Sequence, residues 1–131
     1  MRALLDTHTL IWASVAADRL GKQAREILQD GRNELHVSLA SFWEIGIKMS
    51  KPQSKLALPA NWDQQTDAYV RESGWHWLSI RVDHCRAVRA LPWRRHRDPF
   101  DRMLIAQAQV ERLAILTSDK SFGQYDVPVV W

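Results

Sequence analysis

The stretch Ala3-Leu4-Leu5-Asp6-Thr7 decides how the fold begins. Its three apolar residues are typical of a short strand buried on both faces, since a half-exposed strand would alternate apolar with polar residues. An aspartate ends the run, and the segment that follows predicts a helix over residues 9–17. A strand that passes directly into a helix is the repeating unit of an α/β fold.

The same alternation of strands and helices continues along the chain. Further strands are predicted at residues 35–38, 77–80, 113–117 and 127–130. Helices are predicted at residues 21–30 and 83–91, around Trp43 and Tyr69, and from Asp98 onward. Short apolar strands interleaved with helices form sheets that are covered on both faces. The sequence therefore predicts an α/β protein with a mainly parallel, five-stranded sheet, in one domain over residues 1–131.

Composition narrows the class of protein. Apolar residues make up 46% of the chain and charged residues 25%, as in ordinary globular proteins. The single cysteine, Cys85, excludes an intramolecular disulfide, and its place on an apolar helix face predicts a core position. No apolar run approaches the roughly 20 residues of a membrane span. We therefore expect a cytoplasmic protein with no membrane partner.

The charge is mildly basic and unevenly placed. The net charge is +3, and Arg94, Arg95, His96 and Arg97 form a basic run directly before Asp98. Such a run beside acidic residues suits an anionic substrate that needs both a metal ion and a phosphate contact. A solvated, charged loop is the alternative, and the run taken alone favours it.

Four acidic residues mark the boundaries between strands and helices: Asp6, Glu44, Asp101 and Asp119. Asp6 and Asp119 follow predicted strands, whereas Glu44 and Asp101 fall in the first turns of predicted helices. Right-handed crossovers place such junctions at the carboxyl edge of a parallel sheet, where open α/β sheets bind ligands. We therefore expect the four carboxylates to meet, an arrangement that needs a cation or bound protons to offset its charge.

Each acid taken alone has an ordinary structural explanation. Asp6 suits a helix cap, and Ser41 with Glu44 matches a capping box. Asp101 lies where the helix macrodipole favours a carboxylate. Capping explains a small polar residue at each position, but it does not explain why all four are acidic. The joint pattern therefore favours a metal site, and one residue can both cap a helix and bind a metal.

An all-carboxylate site favours a hard cation, Mg²⁺ or Mn²⁺. Such ions activate water and stabilise the leaving oxygen in phosphodiester hydrolysis. Thr7 and Ser118 place hydroxyl groups beside two of the acids as auxiliary groups. The chain has no G-x-x-x-x-G-K-[ST] or G-x-G-x-x-G loop and no G-x-S-x-G elbow. Metal-dependent hydrolysis is therefore favoured over the chemistries that those motifs support.

Four motifs together resemble one family. They are Leu4-Leu5-Asp6-Thr7-His8, Ser41-Phe42-Trp43-Glu44-Ile45, the stretch around Asp98-Pro99-Phe100-Asp101-Arg102, and Leu116-Thr117-Ser118-Asp119. In order and spacing they are similar to the PIN-domain ribonucleases, most nearly to the VapC-type toxins of bacterial toxin–antitoxin modules. The resemblance covers residues 3–131. Gly21, where a capping serine is usual, and Pro52-Gln53-Ser54 depart from that branch and leave substrate choice and antitoxin contacts open.

The resemblance implies a fold, an activity and partners. The fold is a three-layer α/β/α sandwich, and the activity is Mg²⁺- or Mn²⁺-dependent cleavage of RNA by an endoribonuclease that acts as a toxin. The four acids become catalytic and metal-binding residues, and Asp98 becomes a helix cap that supports them. Contacts with RNA phosphates are implied for the basic residues Arg94, Arg95, Arg97 and Arg102. A homodimer and a cognate antitoxin are the implied protein partners.

Two other functions remain open from the sequence. A housekeeping RNA-processing nuclease without an antitoxin would carry the same residues. A non-enzymatic Mg²⁺-binding module of the receiver type is the second alternative. It would need a phosphoacceptor aspartate on the third strand and a lysine after the fifth. Here the third strand ends in Ile80-Arg81-Val82 and no lysine follows Val130, so the sequence disfavours it.

Overall fold

The computed structural model describes residues 1–93 and 96–131, so Arg94 and Arg95 lie outside the described residues. The strands are β1 (Arg2–Leu5), β2 (Glu34–Ser38), β3 (His76–Leu78), β4 (Ala114–Leu116) and β5 (Val129–Val130). The α-helices are α1 (Thr7–Val15), α2 (Lys22–Gln29), α3 (Leu39–Met49), α4 (Trp62–Glu72), α5 (Val82–Ala90) and α6 (Pro99–Glu111). Short 3₁₀ turns cover Ala17–Arg19 and Lys120–Gln124. The predicted alternation of strands and helices is confirmed.

The five strands form one parallel sheet in the order β3-β2-β1-β4-β5. β1 lies at the centre, with Leu5 opposite Val37 of β2 on one side and opposite Leu116 of β4 on the other. The chain builds outward from β1 in one direction and then returns to build in the other. The order of strands therefore reverses beside β1, and the carboxyl ends of β1 and β4 border the crevice that this reversal opens.

Hydrophobic clusters cover both faces of the sheet. Leu4 and Ile115 point to the cluster beneath α5 and α6, which also contains Leu104. Leu5 and Leu116 point to the opposite cluster, beneath α1, α2, α3 and α4. Neighbouring residues of a strand thus enter different cores, which explains why the short strands are apolar throughout. The expected three-layer α/β/α sandwich is confirmed.

Polar caps fix where the helices begin. Asp6 accepts a hydrogen bond from the Thr9 backbone N–H (2.7 Å), so α1 begins two residues earlier than predicted, at Thr7. α3 begins at Leu39 with Ser38 as its cap, so the expected capping box of Ser41 with Glu44 is wrong. A Ser, Asp or Asn cap contributes about 1 kcal/mol to helix stability.

Two residues correct sequence expectations about packing. Cys85 is exposed, because α5 turns this position away from α6, and the expected core position is wrong. A Cβ atom on Gly21 would lie 2.8 Å from Nε1 of Trp131, a distance too short for a side chain. The close approach of this indole explains why Gly21 replaces a capping serine. In the described part of the chain, no helix has the length and apolarity to cross a membrane.

Candidate active site

Asp6 is held rigidly at the carboxyl end of β1. Its backbone N–H donates to the Leu116 carbonyl (3.2 Å), which extends the pairing of β1 with β4. One carboxylate oxygen caps α1, and the other accepts a hydrogen bond from the Thr117 hydroxyl (2.5 Å). The side chain is only 6% exposed. A carboxylate that is bonded through both oxygens has little rotational freedom, so Asp6 is the fixed point of the site.

Glu44 approaches from α3 and is also buried. Its Oε2 accepts a hydrogen bond from the Thr7 hydroxyl (2.6 Å), which connects it to the start of α1. Its Oε1 lies 2.7 Å from the ammonium of Lys48, one helical turn further along α3. Thr7, the predicted auxiliary residue, thus contacts one of the acids, and Lys48 supplies positive charge to one side of them.

Asp119 follows β4 and is the most exposed of the four, with its side chain 52% accessible. It caps the 3₁₀ turn Lys120–Gln124 by accepting hydrogen bonds from the backbone N–H (2.8 Å) and hydroxyl (2.6 Å) of Ser121. His96 Nε2 lies 3.4 Å from its second oxygen. Burial alone would raise the pKa of Asp119, but the bonds from Ser121 and the nearby imidazole hold that pKa below its usual value.

Asp101 lies within electrostatic reach of the other acids. It lies in the first turn of α6, and Asp98 caps this helix by accepting from the backbone N–H groups of Phe100 and Asp101. Burial, followed in order of size by the charges of Asp98, Glu44, Asp6 and Asp119, raises the pKa of Asp101 to about 7. Among the described residues, no hydrogen-bond donor reaches the Asp101 carboxylate, whereas Asp6, Glu44 and Asp119 each accept at least one such bond.

The chemistry of the group fits a hard divalent cation, although its geometry is not that of a closed cage. All the donors are carboxylate oxygens, and the proton affinity of Asp101 reports excess negative charge. Within residues 1–93 and 96–131, no set of three His, Cys, Asp or Glu side chains is placed to hold an ion. Mg²⁺ takes only one or two protein carboxylates and keeps several waters, so such a cage is not required.

The arginines take different roles. Arg102 is 6% exposed, and its guanidinium donates to the carbonyls of Leu91 (3.1 Å), Pro92 (3.2 Å) and His96 (3.2 Å). Its donors are used to hold the loop before α6, so the expected phosphate contact at Arg102 is wrong. Arg97 is exposed and available to a phosphate. The contacts predicted for Arg94 and Arg95 fall on residues outside the described part.

The hydroxyl group that contacts Asp6 belongs to Thr117, whereas the sequence predicts Ser118 as the auxiliary residue. Ser118 is exposed, and Thr117 instead donates to Asp6. The register explains this exchange, because Leu5 pairs with Leu116 and the next residues of β1 and β4 are therefore neighbours. The i,i+4 spacing of Glu44 and Lys48 predicts a favourable pair on a helix, and the structure contains this ion pair. By contrast, no local pattern in the sequence indicates that His96 lies beside Asp119.

Comparison with known proteins identifies the family. The PIN domain family matches residues 3–128, so the chain belongs to the PIN domain family. Comparison with curated proteins gives no significant match.

Solved structures share the fold over nearly the whole chain. A chain of VapBC2 from Rickettsia felis, bound to a promoter DNA fragment, is 12% identical with a TM-score of 0.69, covering 99% of this chain and 98% of that one. A chain of a toxin–antitoxin complex from Klebsiella pneumoniae is 22% identical with a TM-score of 0.66, covering 98% and 96%. A chain of VapBC-5 from Mycobacterium tuberculosis is 15% identical with a TM-score of 0.61, covering 98% and 97%.

Proposed function

We propose that this PIN-domain protein is a divalent-metal-dependent endoribonuclease and the toxin of a toxin–antitoxin pair. The observation that carries the proposal is Asp101, whose pKa is raised to about 7 by burial and by four other acids. A structural role would place a counter-charge beside such a group. Within residues 1–93 and 96–131 no donor pairs with the Asp101 carboxylate, and such a group at the carboxyl edge of the sheet is typical of a site that awaits a cation.

The four acids Asp6, Glu44, Asp101 and Asp119 would hold Mg²⁺ or Mn²⁺. The bound ion would lower the pKa of a coordinated water and offset charge on the scissile phosphate. Thr117 and Thr9 orient Asp6, while Thr7 and Lys48 orient Glu44. Near neutral pH the Asp101 carboxyl holds its proton about half the time without a cation, so binding of positive charge favours its release.

RNA, a cognate antitoxin and a second copy of the chain are the proposed partners, in the cytoplasm. The positive net charge and the basic run before Asp98 support an anionic polymer as substrate. The structures with the same fold from Rickettsia felis and Klebsiella pneumoniae are described as VapBC2 and as a toxin–antitoxin complex, which supports an antitoxin partner. Asp98 supports the site as the cap of α6.

A cleavage assay tests the enzyme. The protein is purified in EDTA and incubated with total RNA, with and without Mg²⁺ or Mn²⁺. We expect cleavage only with the added ion and a loss of at least about a thousandfold in Asp6→Asn, because transition-state charge loses its support. Asp63→Asn is the matched control, since Asp63 is an exposed acid in the first turn of α4. Equal cleavage by Asp6→Asn would exclude the site.

Toxicity is a separate property and needs its own test. Induced expression of the unaltered chain in a bacterial host is expected to arrest growth, whereas Asp6→Asn is not. Co-expression of the neighbouring small reading frame is expected to restore growth. RNA cleavage in vitro without any effect on growth would instead support a housekeeping nuclease.

A further inference from the structure

Two exposed tryptophans border the acid site. Among the large apolar residues of the described part, Trp43 (60% exposed) and Trp93 (68%) are the aromatic ones that reach solvent. The other tryptophans described are buried, half-buried or partly covered. Exposing an indole is costly, because this side chain buries the largest apolar surface of any residue. Two such rings near one group of acids therefore need an explanation.

Trp43 is held against the first turn of α6. It directly precedes Glu44 on α3, and its ring forms an edge-to-face pair with Phe100, with centroids 5.1 Å apart and planes at 81°. Phe100 directly precedes Asp101. The indole is therefore ordered by one aromatic contact while more than half of its surface remains open. An edge-to-face contact of this kind leaves a ring face available for stacking.

Trp93 is ordered in a different way. The Arg102 guanidinium lies over its ring at 4.7 Å from the centroid. That guanidinium is itself fixed by hydrogen bonds to the carbonyls of Leu91, Pro92 and His96. One face of the indole is thus covered by an immobile cation, and the ring is still 68% exposed. The buried Arg102 acts as the support for an aromatic surface.

The residues that hold the two rings, Phe100 and Arg102, flank Asp101 in the sequence of α6. Phe100 and Arg102 are two positions apart on α6, which turns their side chains about 200° from one another, with Asp101 between them. Phe100 carries Trp43, and Arg102 carries Trp93. A chain that crossed the acids would therefore meet one indole before them and one after them. Trp93 also directly precedes the basic run that begins at Arg94.

We propose that Trp43 and Trp93 are stacking platforms for unpaired nucleobases of single-stranded RNA, one on each side of the phosphate that reaches the acids. This inference rests on the proposed function. Aromatic side chains next to basic residues are the usual means of binding unpaired bases, and every base has a π face that can stack. Bases in a duplex are already stacked, so the platforms select single-stranded or looped RNA.

Binding measurements separate a stacking role from a merely apolar one. Each tryptophan is changed to Phe, which keeps a flat ring, and to Leu, which keeps apolar bulk without one. The changes are made in the Asp101→Asn background so that the RNA stays intact. Affinity for a short, fluorescently labelled single-stranded RNA is expected to fall roughly tenfold in Trp43→Leu and in Trp93→Leu, and by no more than about threefold with Phe. Val82→Ala, at another exposed apolar residue, is the control.

Several outcomes would overturn the inference. Unchanged affinity in both Leu variants is the first, and tighter binding of duplex than of single-stranded RNA is the second. A change of oligomeric state in Trp43→Leu with unchanged RNA affinity would assign that ring to a protein interface, which Leu39 and Ile47 on the same side of α3 would extend.

The RNA itself offers a test that does not depend on variant folding. Removing the bases that flank the cut site, with the backbone kept, is expected to weaken binding to the Asp101→Asn protein by a similar factor, and equal binding would contradict the platforms. A different result would count against the proposed function itself. An unaltered protein that neither binds nor cleaves RNA would overturn both the ribonuclease function and the stacking platforms. Normal cleavage by the unaltered protein and by both Leu variants would overturn only the platforms.

Discussion

The two ends of helix α6 use the same kind of residue for opposite purposes. At its C-terminal end, Glu111 lies 2.7 Å from His84 and in an ion pair with Arg81, and these partners hold the pKa of Glu111 below its usual value. At its N-terminal end, burial and the charges of four other acids raise the pKa of Asp101 to about 7. The first end is neutralised within the protein, and the second is where we propose that an external cation binds.

The contrast shows why acidic residues cannot be counted as a single class. A carboxylate beside an arginine stabilises the fold, since its charge is offset there. A buried carboxylate among other carboxylates destabilises the fold, and such groups are typical of functional sites. Substitutions at Asp101 and Glu111 should therefore change activity and stability in opposite ways.

The largest expected difference is in catalysis. Asp101→Asn should reduce RNA cleavage by at least about a thousandfold, because transition-state charge loses several kcal/mol of support. Glu111→Gln should retain cleavage within a few-fold, since Glu111 lies at the other end of the helix. Rates with saturating Mn²⁺ check this, and equal losses in the two variants would contradict the division of roles.

The second effect concerns the stability of the neutralised end. His84 is fully buried, and its ring accepts from the Arg81 backbone N–H (3.0 Å) and contacts Glu111. His84→Ala leaves a cavity and the Arg81 backbone N–H without its acceptor, so the free energy of unfolding should fall by about 3 kcal/mol. Urea denaturation measures this change in the free energy of unfolding. A loss below about 1 kcal/mol would show that this network contributes little.

The third effect is a gain in the free energy of unfolding in Asp101→Asn, and its size depends on pH. The folded-state pKa of Asp101 is about 7, above the value of 3.8 for a free aspartate, so the folded protein binds more protons between these values and loses stability as pH rises through them. In EDTA at pH 8, Asp101→Asn should be more stable by about 1–2 kcal/mol after allowance for solvent screening, or several degrees in Tm. The gain should shrink towards pH 5. A destabilised Asp101→Asn at pH 8 would contradict the account.

The smallest expected effect is the pH dependence of the stability that Glu111 contributes at the other end of α6. The lowered pKa of Glu111 means that its contribution is present above the free-glutamate pKa and is lost as pH falls through the folded-state value. Glu111→Gln should therefore cost about 1 kcal/mol at pH 7 and almost nothing near pH 3. Thermal unfolding across this range gives the difference, which should run opposite to that of Asp101→Asn. A cost that does not vary with pH would assign Glu111 a packing role instead.

Local patterns account for most of the fold and for the meeting of the acids. Apolar runs such as Leu4-Leu5 identify strands buried on both faces, and Asp98-Pro99 identifies the start of α6. Once the sheet is known to be parallel, the junctions at Asp6 and Asp119 must share an edge. The convergence of the acids therefore followed from topology, without any knowledge of side-chain positions. Their catalytic role stays a prediction.

The remaining features depend on contacts between distant residues. Arg102 looks like a phosphate ligand from sequence, yet it is buried because the loop before α6 supplies carbonyls for its guanidinium. Thr117 binds Asp6 because of strand register, and Cys85 is exposed because of how α5 packs on α6. The apolar periodicity of one helix or strand does not show which other element it packs against.

Calorimetric titration with Mn²⁺ tests the central claim, that these acids form a cation site with uncompensated charge. At pH 7, in two buffers of different ionisation enthalpy, the unaltered protein should bind Mn²⁺ and release roughly half a proton per ion, because Asp101 must lose its proton. Asp101→Asn should bind far more weakly and release none. No binding by the unaltered protein, or equal binding by Asp101→Asn, would contradict the account.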